Sequence, residues 1–445
     1  MGVVALALVA LSGGHRDDPR TPVGLAGPPP PFLGVAVVGS GGRAAAVDAY
    51  GDIVDLRAPG PVGRALVAVS SARQAAGTVS PDEAIVAQVT LRDGRQLPLW
   101  RADSIRQRYL PGTNVLRTVA WFGDRRVAVV RRVGGSGTDR ADRRWLARAR
   151  ALGFGAPRWA RAMYRRSLLV LRALTDRRTG AVAAGARDGW AYVWPRDAAA
   201  VAMAFAAAGY RPEARRIVRF LERLDLSTAA RFHGTGEPVP GRDAQGDAAG
   251  WVAAAAQAAG LPAQRKQHAW RNRADYQEGD AGDHLGNAIA SGLDPTRVPE
   301  LFKSPRGLNR VAGDPGSGLD STAAWAVRPF PTPTLFPAVR RTLLRLAAAR
   351  ESRFGIVPSE GWHGGEDPWT APTAWVAWSL AALGERRVAL GLIADLRRAG
   401  TPLGLLPERV DAATGLPSST TPLAWSHAFA ILALHELWPA EGRQS

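Results

Sequence analysis

The chain has 445 residues, 46% of them hydrophobic, enough for a large core and two domains, and its lack of cysteine excludes disulfides, thiolate metal sites and a cysteine nucleophile. Its formal net charge is +18, but the cations are almost all arginine, with lysine only at Lys266 and Lys303, and no basic run is interleaved with aromatics. Scattered arginine fits solvated helix faces better than a nucleic-acid surface, so no nucleic-acid partner is expected.

The first 31 residues hold a short apolar run, Gly2 to Leu11, and then Pro28-Pro29-Pro30-Pro31. The run is shorter than the ~20 apolar residues that span a bilayer, and no basic residues precede it as in a signal peptide. It reads as a clipped secretory or anchor segment, in preference to an apolar tail of no consequence, followed by a stiff tether. An exported or membrane-tethered location is therefore favoured over a cytoplasmic one. Residues 32–140 carry strand signals at Val35–Val38, Ala84–Leu91, Val115–Val119 and Arg126–Val130. Turn chemistry separates them at Gly39 to Gly42, Asp93-Gly94, Pro111 to Asn114 and Gly123-Asp124. The pattern predicts a small antiparallel β-sandwich. No Gly-Lys-Ser/Thr follows the glycines at 39–42, so they read as a hairpin turn and not a phosphate loop.

Gly134 to Asp142 reads as a linker. Beyond it, residues 141–445 show apolar residues at helical spacing. Helices are predicted near 157–175, 197–208, 211–224, 247–259, 283–292, 319–327, 333–350, 370–383, 385–399 and 422–437. Tight glycine turns join several of them in pairs, as at Ala208-Gly209-Tyr210 and Leu383-Gly384. Sequential pairs without a fixed period suggest an α/α toroid of inner and outer helices, not a 34-residue solenoid.

Within this region Tyr192-Val193-Trp194-Pro195-Arg196-Asp197-Ala198 opens an Ala-rich helix. Pro195 suits a first helical position and Asp197 complements the helix dipole. The motif serves equally as an ordinary helix start or as a sugar site, with Arg196 and Asp197 bonding hydroxyls and Trp194 stacking on a ring. Twelve of the fifteen tryptophans follow position 150. Trp194, Trp251, Trp369 and Trp425 are candidate aromatic walls, although most tryptophans in a helical protein belong to its core. The seven histidines show no metal-ligand spacing, so no metal or cofactor is expected, and His363 and His427 read as hydrogen-bonding partners.

The first of these motifs resembles the substrate-binding Trp-x-Arg-Asp stretch of glycoside hydrolase family 15, the glucoamylase, glucodextranase and trehalase family. Asp275-Tyr276-Gln277-Glu278 is similar to that family's Asp-x-Trp-Glu, and Leu406-Pro407-Glu408-Arg409-Val410-Asp411 to its Pro-Glu-Gln segment. Gly364-Gly365-Glu366-Asp367-Pro368-Trp369 resembles a family Gly-Asn-Pro-Trp stretch, and Pro422 to Ala428 follows as in the family. The motifs keep the family's order from about Arg165 to Trp438, and its bacterial members also carry an N-terminal sandwich.

The resemblance implies a mainly α fold, an (α/α)6 toroid preceded by the small antiparallel β-sandwich. It implies Glu278 as general acid and Glu408 as general base. Trp194, Arg196, Asp197, Asp275, Tyr276, Trp369 and Trp425 would bind the substrate. The activity implied is inverting, exo-acting hydrolysis of an α-glucan, an oligosaccharide or trehalose, with release of β-glucose. Several positions depart from the pattern. Gln277 replaces a tryptophan, Gly279 an acidic residue and Arg409 a glutamine, and no arginine stands before Val357-Pro358-Ser359. A cation at 409 would help hold Glu408 ionised. Asp280, Asp283, Glu360 and Glu366 are competing carboxylates. Two other readings remain: a catalytically silent carbohydrate-binding relative, and an α/α-toroid enzyme acting on another cell-wall polysaccharide.

Overall fold

The computed structural model describes residues 34–76, 79, 83–91, 94–135, 137–263, 274 and 283–440. The predicted apolar segment and proline tether lie outside the described residues. Four short strands, β1 (Ala36–Gly39), β2 (Ala44–Val47), β3 (Ile53–Ala58) and β4 (Arg64–Ala68), form one antiparallel sheet in that order. A short helix, α1 (Ser71–Ala75), and a hairpin, β5 (Gln88–Thr90) with β6 (Gln96–Pro98), follow. A second antiparallel sheet contains β7 (Ser104–Tyr109), β8 (Leu116–Phe122) and β9 (Arg125–Arg131).

In the first sheet β1, β2 and the start of β3 are buried on both faces. Ala36, Val38, Ala45, Val47 and Ile53 pack with Leu116 of the second sheet. Val35, Val37, Ala46, Val54 and Val69 point the other way and join the core of the helical region. Double burial explains why β1 and β2 read as continuous runs of small apolar residues rather than alternating ones. It also explains why β2, with the sequence Ala-Ala-Ala-Val, gave no strand signal. The alternating, half-exposed β4 and β7 were likewise not anticipated.

The expected linker is partly helical. α2 (Thr138–Leu146) begins inside it, and the buried Asp142 accepts a hydrogen bond from the Asn114 backbone N–H at 2.9 Å. Asn114 in turn donates through its side chain to the carbonyls of Gly39 (3.0 Å) and Leu169 (2.7 Å). The segment is thus a strut between sheet and helices.

The helical region comprises α3 (Arg158–Leu174), α4 (Pro195–Ala207), α5 (Arg211–Leu221), α6 (Ala248–Ala258), α7 (Leu285–Ser291), α8 (Arg297–Phe302), α9 (Phe336–Ala349), α10 (Thr370–Ala382), α11 (Arg386–Ala399) and α12 (Ala424–Leu437). α4, α10 and α12 are apolar all round and almost wholly buried, as inner helices must be. α5 and α11 carry arginine on one face and apolar residues on the other, so they pack outside their partners. Gly209 (φ +89°) and Gly384 (φ +83°) make the turns from α4 to α5 and from α10 to α11. The architecture is the mainly α, (α/α)6 toroid with a preceding pair of antiparallel sheets. One expected helix, 319–327, is a 3-10 turn over Ser321–Ala326, started by Asp320 accepting from the Thr322 N–H at 2.7 Å. α8 and a two-residue hairpin, β10 (Lys303–Ser304) with β11 (Gly307–Leu308), are additions that the sequence did not signal. No helix among the described residues is long and apolar enough to cross a membrane.

Candidate active site

Three inner helices begin at one hollow. The residues before α4, α10 and α12, namely Trp194, Trp369 and Leu423, are extended, and none caps its helix with a side chain. The first turns thus present backbone N–H groups and the positive ends of their dipoles towards the same end of the barrel. Between them lies a cavity of about 320 Å³, lined among others by Trp190, Trp194, Arg196, Asp197, Trp369, Glu408 and Trp425. That volume falls at the lower end of small-molecule pockets, ~300–1,000 Å³.

Glu408 stands on the loop between α11 and α12, and that loop is fixed at both edges. The Leu406 N–H donates to His427 Nε2 at 3.0 Å, and the Leu423 N–H donates to the Leu406 carbonyl at 2.9 Å. The Glu408 N–H donates to the Thr420 carbonyl (2.9 Å), and its own carbonyl accepts from the Thr370 N–H (3.0 Å). The Thr370 hydroxyl donates to the Pro407 carbonyl. The carboxylate accepts from Trp190 Nε1 at 3.3 Å and from the Ser419 hydroxyl. Burial pushes its pKa up; the Ser419 and Trp190 hydrogen bonds, then the Arg409 and Arg242 charges, oppose that shift. Arg409 therefore acts in the direction expected from sequence, but desolvation outweighs it.

Arg196 lies across the start of α4. Its guanidinium reaches Gln245 Oε1 at 3.0 Å, Asp247 Oδ2 at 3.1 Å and Asp197 Oδ2 at 3.4 Å, and sits 4.5 Å from the centroid of the Trp425 ring. Burial pushes Asp197 up to about 7; Arg196 opposes the shift, and the negative charges of Glu408 and Asp247 add to it. A carboxyl in that state can both donate to and accept from sugar hydroxyls near neutral pH. Trp194, Trp362 and Trp369 have buried indole N–H groups with no partner among the described residues. Trp362 meets Trp369 edge to face, with centroids 5.9 Å apart. Such aromatic faces with spare donors suit a polyhydroxylated ring.

The structure therefore brings Trp194, Arg196, Asp197, Trp369, Trp425 and Glu408 to one cavity. Asp275, Tyr276 and Glu278 lie outside the described residues, as do Gln277, Gly279 and Asp280. The described residue that precedes them, Ala274, is anchored beside the site: its carbonyl accepts from the Gly246 N–H (3.2 Å) and from Asn287 Nδ2 (3.4 Å). Gln245, the residue before Gly246, is the one that holds Arg196. Trp251 is not a wall. It is fully buried and packs on Trp325, Phe330 and Phe429 at 5.1, 5.3 and 5.7 Å. Glu360 is tied to Arg306 by a bidentate ion pair (2.9 and 2.6 Å), and Glu366 is exposed away from the lining.

His427 supports the loop from below, with Ser167 Oγ 2.9 Å from Nδ1. His363 lies at the rim. Among the described residues no group of three or more His, Asp or Glu is placed to hold a metal ion. Trp190, Arg242, Trp362 and Ser419 also line the cavity and were not anticipated from the sequence. For Ser419 the signal that could have found it is the Ser-Ser-Thr-Thr run at 418–421, lying between the Glu408 and Trp425 motifs.

A family model described as "Glycosyl hydrolases family 15" matches residues 158–235, the stretch from α3 through the Trp194 motif. No curated protein sequence matches the chain. Among solved structures, a wild-type glycosidase is similar at 20% identity and TM-score 0.54, covering 66% of this chain and 98% of its own. A bacterial glucoamylase complexed with acarbose is similar at 16% identity and TM-score 0.54, covering 67% of this chain and 58% of its own. The glucoamylase of Saccharomycopsis fibuligera is similar at 13% identity and TM-score 0.51, covering 63% and 94%.

Proposed function

We propose that this chain is a glycosidase of glycoside hydrolase family 15 and that it hydrolyses α-glucosidic bonds by inversion from the non-reducing end of an α-glucan, an oligosaccharide or trehalose. The observation that carries the reading is Glu408, held by two donors at the edge of a tryptophan-walled cavity beside the Arg196–Asp197 pair. Trp194, Trp369 and Trp425 would pack on the apolar faces of the sugar. Arg196 and Asp197 would bind its hydroxyls, and Asp275 and Tyr276 complete the proposed binding set.

In the proposed step Glu408, as carboxylate, takes a proton from a water molecule whose oxygen attacks the anomeric carbon. Glu278, protonated, gives its proton to the glycosidic oxygen as the bond to the anomeric carbon breaks on the opposite face. An inverting pair needs ~6.5–9.5 Å between carboxyl groups so that the water fits. The burial-raised pKa of Glu408 makes it a stronger base, while its two hydrogen-bond donors and the Arg409 and Arg242 charges favour the ionised form that the step requires.

The test is NMR of freshly released sugar from a panel of α-glucosides and trehalose. The expected first product is the attacked glucose as β-anomer, which mutarotates only afterwards, joined in the case of trehalose by one equivalent of α-glucose from the leaving sugar; α-glucose as the first product from the other α-glucosides, or as the sole first product from trehalose, would overturn inversion. Glu278→Gln and Glu408→Gln should each lower the rate of release by about 10²–10⁴-fold with binding retained. A wild type that binds these sugars without releasing glucose would instead mark a silent relative.

A further inference from the structure

We propose that the N-terminal sheet region is a positioning part of the site: a hydrogen-bonded latch from Val69, Ser71 and Gln74, through Arg187 and Asp188, sets Trp190 and through it the carboxylate of Glu408. The inference rests on the proposed role of Glu408 for its catalytic consequence, but the latch itself stands on geometry. Arg187, only 2% exposed, donates through Nη1 to Gln74 Oε1 at 2.6 Å and through Nη2 to the Val69 carbonyl. Its Nε lies 3.4 Å from Asp188 Oδ2. Asp188 accepts from the Ser71 N–H (3.3 Å) and the Ser71 hydroxyl (2.9 Å). Gln74 continues the chain into the sheet by donating to Asp48 Oδ2 at 3.1 Å.

Two residues beyond Asp188, at the end of the single 3-10 turn Asp188–Trp190, stands Trp190, whose indole donates to Glu408. Asp188 holds φ at +55°, a left-handed conformation uncommon outside glycine though more accessible to aspartate than to most residues, and the Ser71 hydrogen bonds from the sheet side hold its side chain there. The barrel side clamps the same turn. Gly185 N–H donates to the Trp190 carbonyl at 2.8 Å, and Ala424 N–H donates to the Ala184 carbonyl at 2.7 Å. A Cβ on Gly185 would stand 2.8 Å from Trp190 Cβ and 3.1 Å from Thr420 Oγ1, so the backbone passes with no slack. A buried guanidinium is weak as a source of stability but effective at fixing a register. Fixing the register of the Trp190 turn is the work assigned to Arg187.

Loss of the latch should move the Glu408 titration upward, because the Trp190 donor favours the carboxylate. Among the described residues, the charged groups facing Glu408 are Asp197, Arg242 and Arg409, and those facing Arg187 are Asp188, Asp55 and Asp48. Arg187→Met and Ser71→Ala leave the first set in place.

The experiment uses the full chain with ¹⁵N-labelled tryptophan, the Trp190 indole resonance being assigned by its loss in Trp190→Phe. In the wild type that resonance should follow the titration of Glu408. Arg187→Met and Ser71→Ala should move its midpoint up by about half to one pH unit. The acidic limb of kcat/KM should move by the same amount, and Ser71→Thr, which keeps the hydroxyl, should restore both. Arg187→Met combined with Trp190→Phe should shift the acidic limb no further than Trp190→Phe alone. An unmoved indole titration with only a lowered Tm, or an additive shift in the double variant, overturns the latch. If the wild type hydrolyses no glycoside, the functional reading fails while the indole titration still decides the latch.

Discussion

Two buried titratable groups near the cavity respond to pH in opposite senses. Asp197 is pushed up to about 7, chiefly by burial. A carboxyl raised above its unfolded value of ~3.9 contributes stability that is complete below that value and is lost as pH rises through 7. His427 is pushed down to about 3 by burial and then by the Arg166 charge, which keeps Nε2 free to accept from the Leu406 N–H. An imidazole depressed below ~6.5 contributes stability that is complete above that value and is lost as pH falls towards 3. Between pH 4 and 7 the Tm difference between wild type and Asp197→Asn should therefore shrink as pH rises. The difference between wild type and His427→Gln should shrink as pH falls. Thermal scans across that range check both; slopes of the reverse sign would contradict the burial argument. The sequence marked Asp197 through a local motif. It did not show the proton affinity, because that is set chiefly by burial in the closed barrel, with Glu408 and Asp247 adding to it from other segments.

Helix-to-helix contacts are set as much by absent side chains as by present ones. Gly250 lies on α6 where an added Cβ would run into the backbone carbonyl of Ala290 at the end of α7. Gly250→Ala sets a helix-propensity gain of ~1 kcal/mol against a close contact that no side-chain movement can relieve, since the obstacle is backbone. Overpacking of that kind costs ~1–3 kcal/mol, so the net effect should be destabilising, with Tm lower by a few degrees in calorimetry. An unchanged or higher Tm would mean that α7 yields freely. Elements of this kind were legible from period and turn residues. α4, α10, α11 and α12 lie within a few residues of their predicted limits because glycine or an X-Pro step marks many of their ends. β2, β4 and β7 were missed because small or alternating polar residues become strand only where a neighbour supplies the ladder.

The two regions share one interior. One face of the first sheet belongs to the same apolar cluster as α3, α4 and α12, and the strut at Asp142 and the latch at Arg187 cross the same boundary. Separation would expose Val35, Val37, Ala46, Val54 and Val69 together with the helical surface they cover. The chain should therefore unfold in a single calorimetric transition, with the van't Hoff enthalpy equal to the calorimetric one. Two resolved transitions would show that the boundary is weaker than its burial indicates.

Local patterning was sufficient for the alternation of inner and outer helices, the strand-rich start and the family motifs, since each depends on residues within one turn or one short loop. The meeting of Glu408 with Trp190 and Ser419, the hold of Gln245 and Asp247 on Arg196, and the demotion of Trp251 to the core depend on which segments close on one another. Closure of the barrel selects those neighbours, and burial then sets their proton affinities. Neither quantity is carried by spacing along the chain.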